Sequence, residues 1–221
     1  MRQMLIFIVM LVGLTCVRAQ PTGDVPMPVM AGDTADRVIV YVGPSGRQGA
    51  QGTREDPVAS FTPAMERLKE RTTSRTGSVA CTLVLLPGRY RLTEPYIQFS
   101  GDHSVTGPAG TRMLQVSFVG EGNVTLDASG ITVPAGHGVV TPSGSGIEIC
   151  NIRIVHSSEF GIRLGTASRR ATNVRLVNVE VDSTFSHGIL LGDAASPLSD
   201  TTALIGCRIT NTNLMNVGGS T

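Results

Sequence analysis

The sequence predicts an all-β fold, a parallel β-helix preceded by one α-helix. Three observations predict it. Its second half repeats itself at shifts of 27 and 28 residues, and a fixed period in this range signals a stacked solenoid. Only one segment has helical periodicity over a useful length; the rest is short β-type runs parted by Gly, Ser, Asn and Asp. The chain also carries 26 glycines and 12 prolines among 221 residues, which asks for many turns.

The first nineteen residues have the layout of a secretory signal peptide. Met1-Arg2-Gln3 is a positive start, Met4 to Leu14 an apolar run, and Val17-Arg18-Ala19 a small-residue cut site ahead of Gln20. The run is shorter than the roughly 20 residues a bilayer span needs, so no membrane span is expected. Cys16 does not sit in a lipoprotein signal, because Gly13-Leu14-Thr15 matches one poorly. Cleavage would take the 18 basic residues to 16, against 17 acidic. The expected localisation is secreted, extracellular or periplasmic. Residues 20–36, rich in Pro, Gly and Asp, read as a flexible mature N-terminus. Residues 37–221 are expected to form the β-helix domain.

That domain opens with a β run at Arg37–Val42, followed by turns at Gly43–Gly46 and Gly49–Gly52. The helix comes next: Thr62 can cap it, Pro63 suits its first position, and Phe61, Ala64, Met65 and Leu68 share a face. Thr72 to Ser78 should end it. Cys81–Leu86 reads as a strand stopped by Pro87-Gly88, and Met113–Val119 and Asn123–Asp127 as later strands. Ile147–Ile154 then matches Val174–Val181 at a shift of 27, as Phe160–Gly165 matches His187–Gly192, and Leu204–Ile209 follows Leu176–Val181 at 28.

Stacking these units assigns faces. Ile149/Leu176/Leu204, Ile152/Val179/Cys207, Ile154/Val181/Ile209 and Ile162/Ile189/Val217 become inward apolar ladders. Arg153/Glu180/Arg208 becomes an outward column of alternating charge. Short β runs alone would also suit a sandwich, but the fixed shift keeps every inward position apolar.

In order along the chain, Val40-Tyr-Val-Gly-Pro-Ser-Gly46, Gly52-Thr-Arg-Glu-Asp-Pro57, the helix near Thr62 and Leu83-Val-Leu-Leu-Pro-Gly-Arg-Tyr-Arg-Leu-Thr-Glu-Pro95 resemble the opening of secreted right-handed parallel β-helix proteins of the pectate-lyase-like superfamily. They look closest to its glycoside-hydrolase-like branch. The resemblance covers roughly residues 38–217. It implies that the helix caps the N-terminal end of the solenoid, and that the protein is related to glycoside hydrolases or polysaccharide lyases. It also implies a longer chain than this one, truncated here before most of the active site, with its open last coil covered by further sequence or by another chain.

The residues themselves say less about chemistry. Glycoside hydrolysis needs two carboxylates at a set separation. Asp182 with Asp193, or Glu148 with Glu180, are the acids in the repeat region, yet none aligns with an acid in the neighbouring coil, so all four read as solvated turn or face residues. A lyase needs a base beside a uronate carboxylate and a cation to neutralise it. Lys69, the single lysine, lies on the helix, while Arg153, Arg175 and Arg208 could contact an anionic sugar. His103, His137, His156 and His187 lack metal-ligand spacing, and His187, aligned with Phe160, reads as a partly buried structural residue. No cofactor is implied, and Ca²⁺ only if the protein is a lyase. Cys81, Cys150 and Cys207 are an odd number without a Cys-x-x-Cys motif and read as buried small hydrophobes. Asn123-Val-Thr125 is a glycosylation sequon.

The near-neutral net charge of +1 excludes a basic nucleic-acid footprint. Two classes stay open: a carbohydrate-active enzyme, with little activity expected from this chain alone, or a noncatalytic glycan-binding or structural β-helix.

Overall fold

The computed structural model describes residues 37–100, 103–108, 110–166, 168–191 and 202–212. The expected signal peptide, the segment 20–36, Asp193 and Val217 lie outside them. None of the described helices is long and apolar enough to cross a membrane.

Three parallel sheets wind into a parallel β-helix. Sheet A holds β1 (Val38–Arg47), β2 (Gly77–Leu85), β6 (Gly110–Gly120), the second half of β8 (Gly138–Cys150), β11 (Ala171–Val177) and β14 (Thr202–Ile205). Sheet B holds β3 (Gly88–Arg91), β7 (Val124–Asp127), β9 (Arg153–Ser157), β12 (Glu180–Thr184) and β15 (Arg208–Thr210). Sheet C holds β4 (Ile97–Ser100), the first half of β8, β10 (Phe160–Arg163) and β13 (Ile189–Leu190). β8 turns the corner from sheet C into sheet A without a break, at Gly144 with φ 79°. β5 (His103–Gly107) forms the one antiparallel pairing among these strands, folding back on β6 as a hairpin.

The register agrees with the 27/28-residue repeat. Phe118, Ile149, Leu176 and Leu204 stand in one row across sheet A. Tyr90, Leu126, Ile154, Val181 and Ile209 stand in one row across sheet B. Ile97, Val140, Ile162 and Ile189 do so in sheet C. These side chains fill the lumen, and from Phe118 to Leu176 and Leu126 to Val181 they are fully buried. A buried aliphatic or aromatic side chain contributes about 1.5–3 kcal/mol, so the ladders hold the coils in register. In the last described coil, Leu204 and Ile209 are 44% and 45% exposed, because no described coil stacks on them.

The corner between sheets A and B explains its own residues. Asn151, Asn178 and Gly206 take up left-handed φ values of 55°, 51° and 61° at equivalent places, a conformation Asn and Gly tolerate best. The Asn178 amide donates to Asn151 Oδ1 at 3.2 Å, knitting two coils together.

The helix α1 (Phe61–Arg71) packs against β1 with Phe61, Ala64 and Leu68 in the core. Its cap differs from the sequence expectation: Ser60 is the N-cap and Thr62 already lies inside the helix. Pro63 therefore sits in the third helical position, still among the first four N–H groups that lack intrahelical partners. The Thr62 N–H is satisfied from outside, donating to Glu94 Oε1 at 3.2 Å. Arg71 ties the other end down by donating to the carbonyls of Ile39 and Gln51. β2 starts at Gly77, earlier than Cys81, because parallel pairing to β6 runs from Gly77 onward.

Candidate functional site

The outer face of sheet B carries a group of ionisable side chains. Outward positions there form two rows, Arg89, Thr125, Arg153, Glu180 and Arg208 in the first, and Arg91, Asp127, Val155, Asp182 and Thr210 in the second. The expected Arg153/Glu180/Arg208 column is present, with Arg153 Nε 3.4 Å from Glu180 Oε1.

A third row begins where three successive coils kink. His156, Ser183 and Asn211 have φ values of 60°, 58° and 48° at spacings of 27 and 28 residues. Since successive coils kink together, pairing resumes beyond the kink, with Ser157 opposite Thr184. The kink lets His156 reach Asp127 on the preceding coil.

Asp127 is the centre of the strongest electrostatic cluster. Its side chain is 2% exposed. Arg89 Nε and Nη2 lie 2.9 and 2.8 Å from its Oδ2, His156 Nδ1 lies 3.0 Å from Oδ1, and the Ser129 N–H donates to Oδ1 at 3.1 Å. Burial alone would push this carboxyl up, but the hydrogen bonds from His156, Ser129 and Arg89 outweigh it and hold the acid well below the usual carboxylate range. Asp127 is thus an ion that can only accept. The His156 Nδ1 must be the donor, which in the neutral ring leaves Nε2 as the basic nitrogen. The His156 side chain is 48% exposed, so Nε2 is available to a ligand.

Asp182 forms a second cluster across Val155. It accepts from Asn211, Thr210, Arg153 and Ser183. The Asn211 amide, ahead of the other donors, lowers its pKa against a smaller opposing effect of burial. Asp127 and Asp182 are two strands apart, about 10 Å along the sheet, with Val155 between them. Both are held ionised. Both shifts disfavour the protonated form that glycoside hydrolysis needs of its acid.

The acids Glu148 and Glu180 are not brought together. Glu148 lies on the outer side of sheet A in register with Arg175, and its Oε1 is 3.5 Å from Arg175 Nη1. It is buried rather than solvated, and burial, partly offset by Arg175, raises its pKa. Arg175 is for the same reason separated from Arg153 and Arg208. His187 is exposed and packs on Phe160 with ring centroids 5.7 Å apart, instead of being partly buried. His137 packs on Tyr96 at 4.5 Å. His103 sits in the β5 hairpin. Cys81 and Cys150 are buried and Cys207 is half-buried, all three as free thiols. Among the described residues no three His, Cys, Asp or Glu side chains converge as a metal site.

Lys69 stands apart from sheet B, in the wall of a groove of about 700 Å³ between α1 and β4. A smaller hollow of about 310 Å³ lies beside it, between the start of α1 and Arg89 to Glu94.

No family model and no curated protein matches the sequence. Among solved structures, a rhamnogalacturonan lyase aligns with 79% of this chain and 42% of its own at 16% identity and a TM-score of 0.53. The pectate lyase Pel9A aligns with 81% of this chain and 48% of its own at 14% identity, with a TM-score of 0.34. The chain spans less than half the length of either. At these identities the likeness to the first shows the parallel β-helix fold alone.

Proposed function

We propose that the chain belongs to a secreted, carbohydrate-active β-helix protein that engages acidic polysaccharide on the outer face of sheet B, in the manner of a lyase. The observation that carries this is His156, half-exposed and fixed in one tautomer by an ionised Asp127, with Arg89 and Arg153 on the same face. Removal of a proton beside a uronate carboxylate needs a base and a cation. His156 Nε2 can take the proton while a guanidinium offsets the substrate carboxylate. The C–H electrons form the new double bond, the glycosidic C–O bond breaks, and the departing oxygen leaves as a hydroxyl after gaining a proton. Hydrolysis fits less well, since Asp127 and Asp182, two of the three carboxylates on this face, are shifted towards the ionised form. The lyase name of the solved structure with the same fold supports the reading.

A second reading, noncatalytic glycan binding, is favoured by the engagement of Arg89 and Arg153 with Asp127, Asp182 and Glu180, which leaves the face more neutral than its arginines suggest. One experiment separates the two. The mature chain is incubated with a panel of polyuronates, and the ultraviolet absorbance of the unsaturated product is followed alongside binding. Turnover abolished by His156→Gln with binding retained supports the lyase. Binding without turnover, indifferent to His156→Gln, supports the second reading, and absence of both on every acidic glycan rejects sheet B as the glycan surface.

A further inference from the structure

We propose that the groove between α1 and β4 binds a neutral saccharide, at a site distinct from the charged face of sheet B. Its volume, about 700 Å³, falls in the range of small-molecule sites. Three features of the groove converge on that ligand class.

The first is its floor. Phe61, Phe99 and Phe118 stack in sequence, with centroids 5.4 Å apart for Phe61–Phe118 and 4.3 Å for Phe99–Phe118. These rings are almost wholly buried, so they supply a rigid base but too little open apolar surface to anchor a lipid tail or a hydrophobic peptide. Tyr96 lines the groove above them, its ring held against His137. An aromatic ring with a polar tip suits a ligand that has both an apolar C–H face and hydroxyls.

The second is the chemistry of the walls. Gln98, Ser143, Thr166 and Ser168 offer uncharged donors and acceptors. The charged side chains are two of each sign, Lys69 and Arg169 against Glu66 and Glu94. Glu94 is already committed to the Thr62 N–H. Such a balance gives no preference for an acidic ligand, unlike the arginine rows of sheet B.

The third is the backbone. β4 pairs with β8 on one side, and among the described strands nothing pairs with its other side. Gln98, on the same strand, is exposed. An open strand edge presents N–H and C=O groups that sugar hydroxyls can satisfy in either sense.

The test uses the mature chain and a panel of neutral mono- to tetrasaccharides built from hexoses, deoxyhexoses and pentoses, with binding followed by calorimetry and by tyrosine fluorescence. Of the three tyrosines, Tyr90 is buried and Tyr41 lies under Arg54, so Tyr96 should carry the signal. Saturable binding by at least one saccharide is expected. Tyr96→Ala should weaken it roughly tenfold, the scale of one aromatic contact, Tyr96→Phe should retain most of it, and Arg89→Ala should leave it unchanged. Circular dichroism confirms that each variant is folded. No saturable binding across the panel, equal affinity in Tyr96→Ala, or loss through Arg89→Ala would each overturn the proposal. Because the ligands are uncharged and Tyr96 lies off sheet B, this result and that of the polyuronate assay are independent.

Discussion

Changing Asp127 to Asn should cost about 1–3 kcal/mol at neutral pH, and the cost should vanish in acid. The substitution keeps the shape and one oxygen but places an NH₂ among donors. On one side it would confront the two Arg89 nitrogens, on the other His156 and the Ser129 N–H. A hydrogen bond to a charged group contributes roughly 1.5–3 kcal/mol, and a neutral one about 1. Arg89 is 56% exposed and His156 48%, so water recovers part of what those two lose. The part-buried Ser129 interaction and the remaining difference set the range given. The pH dependence follows from the direction of the shift. An unfolded Asp titrates near about 3.9, and the folded Asp127 lies lower. The stability contributed by its charge is therefore fully present above the unfolded value and is lost as pH falls through the folded one. Urea unfolding of wild type and Asp127→Asn at pH 7, and in steps down to the lowest pH at which both fold, measures this. Equal stability at pH 7 would refute the claim that the cluster holds an ionised carboxylate, as would a difference that persists unchanged into acid.

Other perturbations separate the lumen from the surface. Val179→Asp should cost several kcal/mol, since Val179 is fully buried in the ladder between Ile152 and Cys207 and offers a charge no partner. Glu180→Arg, on the outer column, should cost no more than about 1 kcal/mol and less at high salt, both read from thermal unfolding at two ionic strengths. Phe118→Ala should cost about 3–5 kcal/mol because it removes the ring on which both Phe61 and Phe99 stack, whereas Phe118→Leu should cost about half as much in the same denaturant titration. Gly161→Ala should destabilise by about 1–3 kcal/mol, for a Cβ there would meet Val181 Cγ1 at 2.3 Å and the Gly188 carbonyl at 2.7 Å.

The fold was legible because a solenoid writes its geometry into the sequence as a period. One shift of 27 or 28 residues places Ile149 on Leu176 and Ile154 on Val181, and a strand slipped by one residue would turn each ladder outward. The repeated Phe160-Gly and His187-Gly pairs carried the same message in steric form, since Gly161 has no room for a side chain between Val181 and the Gly188 backbone. Where the period fails, the sequence was a poorer guide. The helix belongs to no repeat, and its start is hard to place from sequence because Thr62-Pro63 looks like a local cap, while the partner of the Thr62 N–H is Glu94, distant in sequence.

The charged site was hidden for a related reason. In the repeat Asp182 aligns with Val155 and Thr210, its immediate neighbours in the column, and neither is an acid. Extending the same 28-residue shift one coil upstream, from Arg153-Ile154-Val155 to Thr125-Leu126-Asp127, would have placed a second acid in that column. It would not have supplied His156, which is not in the column but one residue past it, on a backbone bent to φ 60°. Nothing in His156 itself announces that bend; Asn211 at the equivalent place is a natural left-handed residue, but Ser183 and His156 are not marked in that way. The ion pair that orients His156 is thus a diagonal contact between coils, created by a kink that all of these coils share. Periodicity reveals what stacks directly, so a reading built on it finds the lumen first and the diagonal chemistry of the outer face last.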